Sequence, residues 1–277
     1  MVEKVLVKKV EDYTQVGKFV REAFETFGFE EEDEVIIKPN FLKYNDPLRG
    51  CITHPSVVSS AVEAARDSGL KPLVAEGGFG KDSADKCFSS FNLGDGVNFV
   101  NLNREEFVKI NVGGKALKDV KVAKSALKAL NKPFISLPKF KVHHLTGVTL
   151  GIKNNMGFLK KPAVYMHLNI HQKLVDLLGV FNPSLVIIDG VVGGDLSESK
   201  TKPLDHGVMV ASNNVVAADA VAAELMGFMP EKIEHIRLAA EVLGVDLDKI
   251  EANVDIERLK RNYSLSFFSR VLGKIGI

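Results

Sequence analysis

Short apolar runs alternate along this chain with stretches whose apolar residues recur at helical spacing. That is the pattern of strands joined by crossover helices into a mostly parallel sheet. Val5 to Val7 reads as a first strand, and Tyr13 to Phe27 as a helix, because Val16, Phe19, Val20, Ala23, Phe24 and Phe27 fall on one stripe. Glu34 to Lys38 reads as the next strand. After a loop containing Gly and Pro, a helix starts near Pro55, capped by Thr53 or Ser56, and ends at Gly69. Further strands are expected at Leu73 to Ala75, Val97 to Asn101, Phe134 to Leu137, Leu185 to Ile188 and Val208 to Ala211. Helices are expected near Gln172 to Leu178, Val215 to Met226 and Glu231 to Leu243, and Arg104 to Val122 reads as two short strands and turns. The class is α/β.

At 277 residues and 45% hydrophobic the chain can bury a sizeable core. It is expected as one domain over residues 1–262, or as two Rossmann-like lobes around a cleft, divided near residue 110. Residues 263–277 read as an amphipathic tail, with Phe267, Phe268, Val271, Leu272 and Ile275 opposite Arg270 and Lys274. Docking of this tail on its own domain or on a twin subunit is expected, the latter giving a homodimer, with contact to a membrane surface as the alternative. A formal charge of +1 removes the case for bulk nucleic-acid binding, so any basic function is local and suits a small anionic molecule. No run reaches the roughly 18 apolar residues of a membrane span. The start, MVEKVLVKKV, sets charges inside its apolar run, unlike a signal peptide, and a cytoplasmic protein is expected. Cys51 and Cys87 are too few and too far apart for a disulfide framework, while Cys51 and His54 stand at half of a metal-site spacing.

The stretch Pro138 to Gly157, PKFKVHHLTGVTLGIKNNMG, sets lysines and paired histidines among glycines straight after an apolar strand. If Val142 to Met156 is helical, His143, Thr146 and Lys153 share one face and Gly147 and Gly151 stack one turn apart. Ligands of open α/β sheets collect beyond the carboxyl ends of strands. Here those ends carry Lys38-Pro39-Asn40, Glu76-Gly77-Gly78, Lys139 and Lys141, and Asp189. Two lysine-bearing ends facing two carboxylate-bearing ends suit an anion together with a proton-transfer or metal partner.

The series Ile37-Lys38-Pro39-Asn40, Thr53-His54-Pro55, Glu76-Gly77, Pro138 to His143, Gly151 to Gly157, Ile188-Asp189-Gly190 and Ala218 to Ala222 resembles the domain of unknown function 362 family over most of the chain. Some members of that family carry an added ferredoxin-like cysteine module for iron-sulfur clusters. Two cysteines cannot supply the four thiolates of a cluster from one chain, so an iron-sulfur cluster is not expected here. His143-x-x-x-Gly147-x-x-x-Gly151-x-Lys153 is similar to a segment of nickel-pincer lactate racemases, although Ile152 stands where those have arginine. That similarity implies an acid/base role for His143, a nucleotide-derived cofactor carried on Lys153, and a nickel ligand at His167 or His171. The two histidines of HLNIH, four apart, would share one helix face and suit a divalent metal directly.

The expected function is therefore that of an enzyme in which Lys38, Lys139, Lys141 and Lys153 hold an anionic substrate or nucleotide-like cofactor and His143 or His144 moves protons. Asn40, Gly77, Gly78, Thr146, Gly151 and Asn154 complete the binding set, while Glu76 and Asp189 orient an imidazole or complete a metal site. The alternative is a carrier that holds a metal or cofactor without turnover, linked to iron-sulfur or redox pathways.

Overall fold

The computed structural model describes residues 2–28 and 34–266. Its strands in chain order are β1 (Glu3–Lys9), β2 (Glu34–Pro39), β3 (Lys71–Glu76), β4 (Asn98–Asn101), β5 (Phe107–Asn111), β6 (Asp119–Ala123), β7 (Phe134–Leu137), β8 (Lys139–His143), β9 (Gly147–Val148), β10 (Leu185–Asp195), β11 (Lys202–Ser212) and β12 (Ile250–Ala252). The helices are α1 (Val16–Phe27), α2 (Pro55–Asp67), α3 (Ser83–Ser90), α4 (Leu150–Asn154), α5 (Ile170–Leu178), α6 (Val215–Leu225), α7 (Glu234–Leu243) and α8 (Ile256–Leu259).

One ten-stranded sheet runs in the order β12-β1-β11-β10-β7-β2-β3-β4, with β8 and β9 attached through β10, so elements on both sides of residue 110 share it. From β10 to β4 every neighbouring pair is parallel; β11 runs against its neighbours β1 and β10, and β9 runs against β8. The pair β5–β6 forms a separate antiparallel ribbon, as the reading of Arg104 to Val122 anticipated.

Strand alternation puts the core on both faces. Ile36, Phe134, Val186 and Ile188 enter the cluster that includes Val216 and Ala220 of α6 and Leu174 of α5. Their neighbours Val35, Ile37, Ile135, Leu185 and Ile187 enter the cluster with Phe19, Val20, Val57, Val58 and Ala61 of α1 and α2. These parallel strands are therefore buried on both sides and carry almost unbroken apolar runs. Each fully buried Phe, Ile or Val contributes about 1.5–3 kcal/mol relative to exposure.

The cap of α2 differs from expectation. His54 is the N-cap, its Nδ1 accepting the Ser56 N–H at 3.1 Å, and Pro55 follows as the first helical residue. Thr53 instead accepts the Asn40 N–H at 2.9 Å and donates to Leu137 O at 2.6 Å, tying two strand ends together.

The continuous helix expected over Val142 to Met156 does not form. His143 pairs with Gly147 and Val142 with Val148 in a tight hairpin, and helix begins only at Leu150. Gly147 at φ 76° and Leu150 at φ 43° both lie in the left-handed region, which no right-handed helix can pass through. The apolar tail positions Phe267, Phe268, Val271, Leu272 and Ile275 lie outside the described residues.

Candidate functional site

Lys38 and Glu76 leave the carboxyl ends of neighbouring parallel strands and meet each other. Lys38 Nζ lies 2.8 Å from Glu76 Oε2, with the two side chains 0% and 4% exposed. Lys38 also donates to Pro39 O at 3.1 Å and Asn154 Oδ1 at 3.4 Å. Burial works to raise the Glu76 pKa, but Lys38 and the N–H groups of Gly77 (2.8 Å) and Gly78 (3.0 Å) outweigh it and hold the carboxyl below its ordinary value. Gly157 packs directly on this pair. A Cβ there would come within 2.8 Å of Glu76 Oε1 and closer still to Lys38 Nζ.

Alternation along β8 sends Lys139, Lys141 and His143 to one side and Phe140 and Val142 to the other. Lys139 and Lys141 then take different roles. Lys139 Nζ lies 2.7 Å from Asp189 Oδ2, both side chains fully buried, and donates to Tyr13 Oη at 2.9 Å. Tyr13 donates to Asp189 Oδ1 at 3.1 Å, the His54 N–H donates to Asp189 Oδ2 at 2.9 Å, and the His54 ring stacks on Tyr13 at 3.5 Å. Burial lowers the Lys139 pKa against the pull of Asp189. This is a closed, satisfied lock between β8, β10 and the start of α1. It corrects the expectation that Lys139 and Asp189 face a ligand.

Lys141 instead donates to Cys51 O at 2.9 Å and Asn40 Oδ1 at 3.4 Å and reaches a cavity of about 430 Å³. Lys38, Asn40, Glu76, Gly78, Lys141, His143, His144, Lys153, Asn154 and His167 all line that cavity. The glycine-rich segment, the β2 and β3 ends and the imidazoles therefore do converge. Besides Lys139 and Asp189, three further expected members stand elsewhere. The Thr146 hydroxyl donates to Val148 O at 2.7 Å, Gly77 only braces Glu76, and the Gly151 N–H donates to Asp219 Oδ1 at 2.7 Å from α6. Asp219 also accepts the Ile152 N–H at 2.8 Å, and burial pushes its pKa up to about 7.

Burial, and then the neighbouring Lys141 and Lys161, bring the Lys153 pKa down to about 7. Among the described residues its ammonium has no hydrogen-bond or ion-pair partner. Lys161, from the loop after α4, donates to Met156 O at 2.8 Å, and burial brings its pKa down to about 8. His143 Nδ1 accepts the Leu145 N–H at 3.2 Å, and burial followed by Lys153 holds its pKa well below 6.5. It is thus a neutral imidazole with its proton on Nε2. His144 stacks on it at 4.7 Å, with Nδ1 3.2 Å from Glu198 Oε1. Burial also lowers the His167 pKa, with Lys153 adding to the effect.

The single helix face expected for His167 and His171 does not form. Asn169 at φ 57° breaks the chain between His167 and His171, so HLNIH is not one helix face. His167 lines the cavity, whereas His171 packs against His235 and lies 3.7 Å from Glu234. Among the described residues no group of three or more His, Cys, Asp or Glu side chains is placed to hold a metal ion by protein donors alone. Cys51 Sγ is buried beside the carbonyls of Glu198 and Ser199, and His54 Nδ1 accepts the Ser56 N–H.

A family model described as Domain of unknown function (DUF362) matches residues 35–224. The chain belongs to this family. Its DUF362 region contains every cavity residue named above. The chain is also similar to a thylakoid-associated protein of Synechocystis, at 27% identity over 232 residues, covering 77% of this chain and 69% of that protein. Among the described residues no helix is long and apolar enough to cross a membrane.

The sequence reading had missed Lys43, Lys161 and Glu198, which also line the cavity. They sit on connecting loops, where no strand or helix period marks them. Lys161 did carry one signal, the following Pro162, which starts a stiff, non-helical turn.

Proposed function

We propose that this chain binds a small anionic molecule in the cavity and moves a proton on it. Five lysines (38, 43, 141, 153 and 161) face two carboxylates, Glu76 and Glu198, across that space. One of the two carboxylates is already consumed by Lys38. The observation that carries the reading is Lys153, a cavity-lining ammonium that makes no hydrogen bond or ion pair among the described residues. A cluster of cations with so little countercharge is costly unless a bound anion completes it.

The roles follow from the partners. Lys141 and Lys161 are anchored by the carbonyls of Cys51 and Met156, so they present charge at fixed positions. Lys153, near pH 7 in its titration, holds and releases a proton under neutral conditions, the property required of a general acid/base. His143, uncharged and oriented by Leu145, offers an Nε2–H donor that adds no further positive charge. Glu198 sets a carboxylate oxygen 3.2 Å from His144 Nδ1.

A second reading is a carrier that holds the same class of anion without turnover at a membrane surface. Phe79 and Val164, 77% and 65% exposed on the cavity wall, favour it, as does the thylakoid association in the name of the Synechocystis relative.

The test is a thermal-shift screen of the full chain against inorganic phosphate, pyrophosphate and small hydroxy and dicarboxylic acids. At least one is expected to raise the Tm, and Lys153→Met is expected to abolish that rise without lowering the ligand-free Tm. A rise retained in Lys153→Met refutes the proposal. Proton NMR in deuterated buffer then separates the readings, since an enzyme exchanges deuterium into the bound acid and a carrier does not.

A further inference from the structure

Beside the cavity lies a second, open hollow of about 560 Å³, and Lys43 and Ser199 line both. Around this outer hollow stand Lys43, Arg49 and Lys200, with Asp46 as the acidic member. The Asp46 carboxylate is engaged with its own chain, accepting the Leu48 N–H at 2.9 Å. Among the described residues none of the three cationic side chains forms an ion pair or a side-chain hydrogen bond.

The frame that presents them is fixed. Thr201 Oγ1 donates to Arg49 O at 2.6 Å. Gly50 follows in the left-handed region at φ 70°, packed so closely on the Gly193 backbone that no Cβ fits. The cations therefore belong to a braced corner where the loop after β2 meets the loop between β10 and β11. Two adjoining compartments, each with unneutralised cations and joined through Lys43, match a ligand that is charged at both ends.

We propose that the ligand of the inner cavity is elongated and carries two separated anionic groups, the outer one a phosphate held by Lys43, Arg49 and Lys200. This rests on reading the inner cavity as an anion site. Phosphate suits the outer position better than carboxylate for two reasons. It brings about −1.5 to −2 charges and three acceptor oxygens, enough for three separate cations. Arg49 also adds a planar fork of donors that matches two of those oxygens. The inner group meets Lys153, Lys141 and Lys161, and Phe79 and Val164 add apolar wall to the inner cavity, while Lys43 and Ser199 stand where the two hollows join.

The test uses calorimetric titration of the full chain with a graded series of α,ω-alkanediol bisphosphates and the matching alkyl monophosphates. One linker length is expected to bind about tenfold tighter than its monophosphate, the gain from charge-assisted contacts at the second group. The exposed double variant Arg49→Ala/Lys200→Ala is expected to bring that bisphosphate back to monophosphate affinity while monophosphate binding stays unchanged. The tenfold gain should also fade in about 1 M salt, where screening shortens to about 3 Å. Lys153→Met should weaken both probes. Bisphosphates no tighter than monophosphates, or unaffected by the double variant, overturn the outer site, and the inner reading survives if Lys153→Met still weakens monophosphate binding. Binding indifferent to Lys153→Met, or no binding of any probe, overturns the inner reading and the outer site with it.

Discussion

Lys38→Met removes the ammonium that neutralises Glu76 at the floor of the cavity while keeping most of the side-chain volume. Breaking a buried pair by deleting one partner costs about 3–5 kcal/mol, because the remaining charge is left without its counterion. Glu76 would keep the N–H groups of Gly77 at 2.8 Å, Gly78 at 3.0 Å and Phe41 at 3.4 Å, which places the loss near the lower end, about 3 kcal/mol. The pH dependence should also change sign. In the wild type the folded Glu76 pKa lies below its usual 4.5, so its contribution is present above that value and is lost as pH falls through the depressed pKa. Without Lys38 the burial effect dominates and raises the folded pKa above 4.5, so the variant loses stability as pH rises from there. Urea unfolding followed by circular dichroism at about pH 5 and about pH 8 measures both, provided the m-values agree. A loss below about 1 kcal/mol, or a wild-type pH slope in the variant, would refute the assignment of this pair as a buried, mutually neutralising floor.

Lys153→Met should act in the opposite direction. The folded Lys153 pKa falls from 10.5 to about 7, so at or below pH 7 the wild type bears the full cost of a charged, poorly hydrated ammonium, and it recovers as pH rises toward 10.5. The variant should therefore be more stable by about 2 kcal/mol near pH 6, after allowance for solvent in the cavity, with the difference vanishing toward pH 10; parallel curves would contradict this. Lys139→Met strands Asp189 in the lock with Tyr13 and should cost about 3–5 kcal/mol in chemical denaturation without altering the cavity, and a smaller loss would show that Tyr13 and the His54 N–H suffice. Gly157→Ala drives a methyl into the Lys38–Glu76 pair and should destabilise by about 1–3 kcal/mol and weaken anion binding, whereas a neutral substitution would mean that the turn shifts to make room.

The two faces of the sheet were legible because apolar pattern alone decides them. Phe134 to Leu137 is found with its predicted ends, and Pro55 opens α2 as expected. The site was legible in membership and misread in geometry. Gly147 and Gly151 stand four apart, which mimics a helical period, and only the positive φ at Gly147 and Leu150 reveals a hairpin followed by a short helix. Lysine in KFKVH argues against burial in a sequence, yet all five residues of β8 are buried, because each ammonium meets a carboxylate or a carbonyl supplied from far along the chain. The alternation in KFKVH was the available signal for that strand. Which lysines are locked and which are free depends on partners such as Tyr13, Asp189 and Cys51, and no local spacing encodes those pairings.

The most direct measurement is a ¹³Cε NMR titration of the lysine side chains in the full chain, with the Lys153 resonance assigned by its loss in Lys153→Met. A midpoint near 7, shifting upward when an anion occupies the cavity, is the result expected of a buried ammonium that has no ion-pair partner among the described residues. A midpoint near 10.5, alongside the surface lysines, would contradict it and remove Lys153 from both binding and proton transfer.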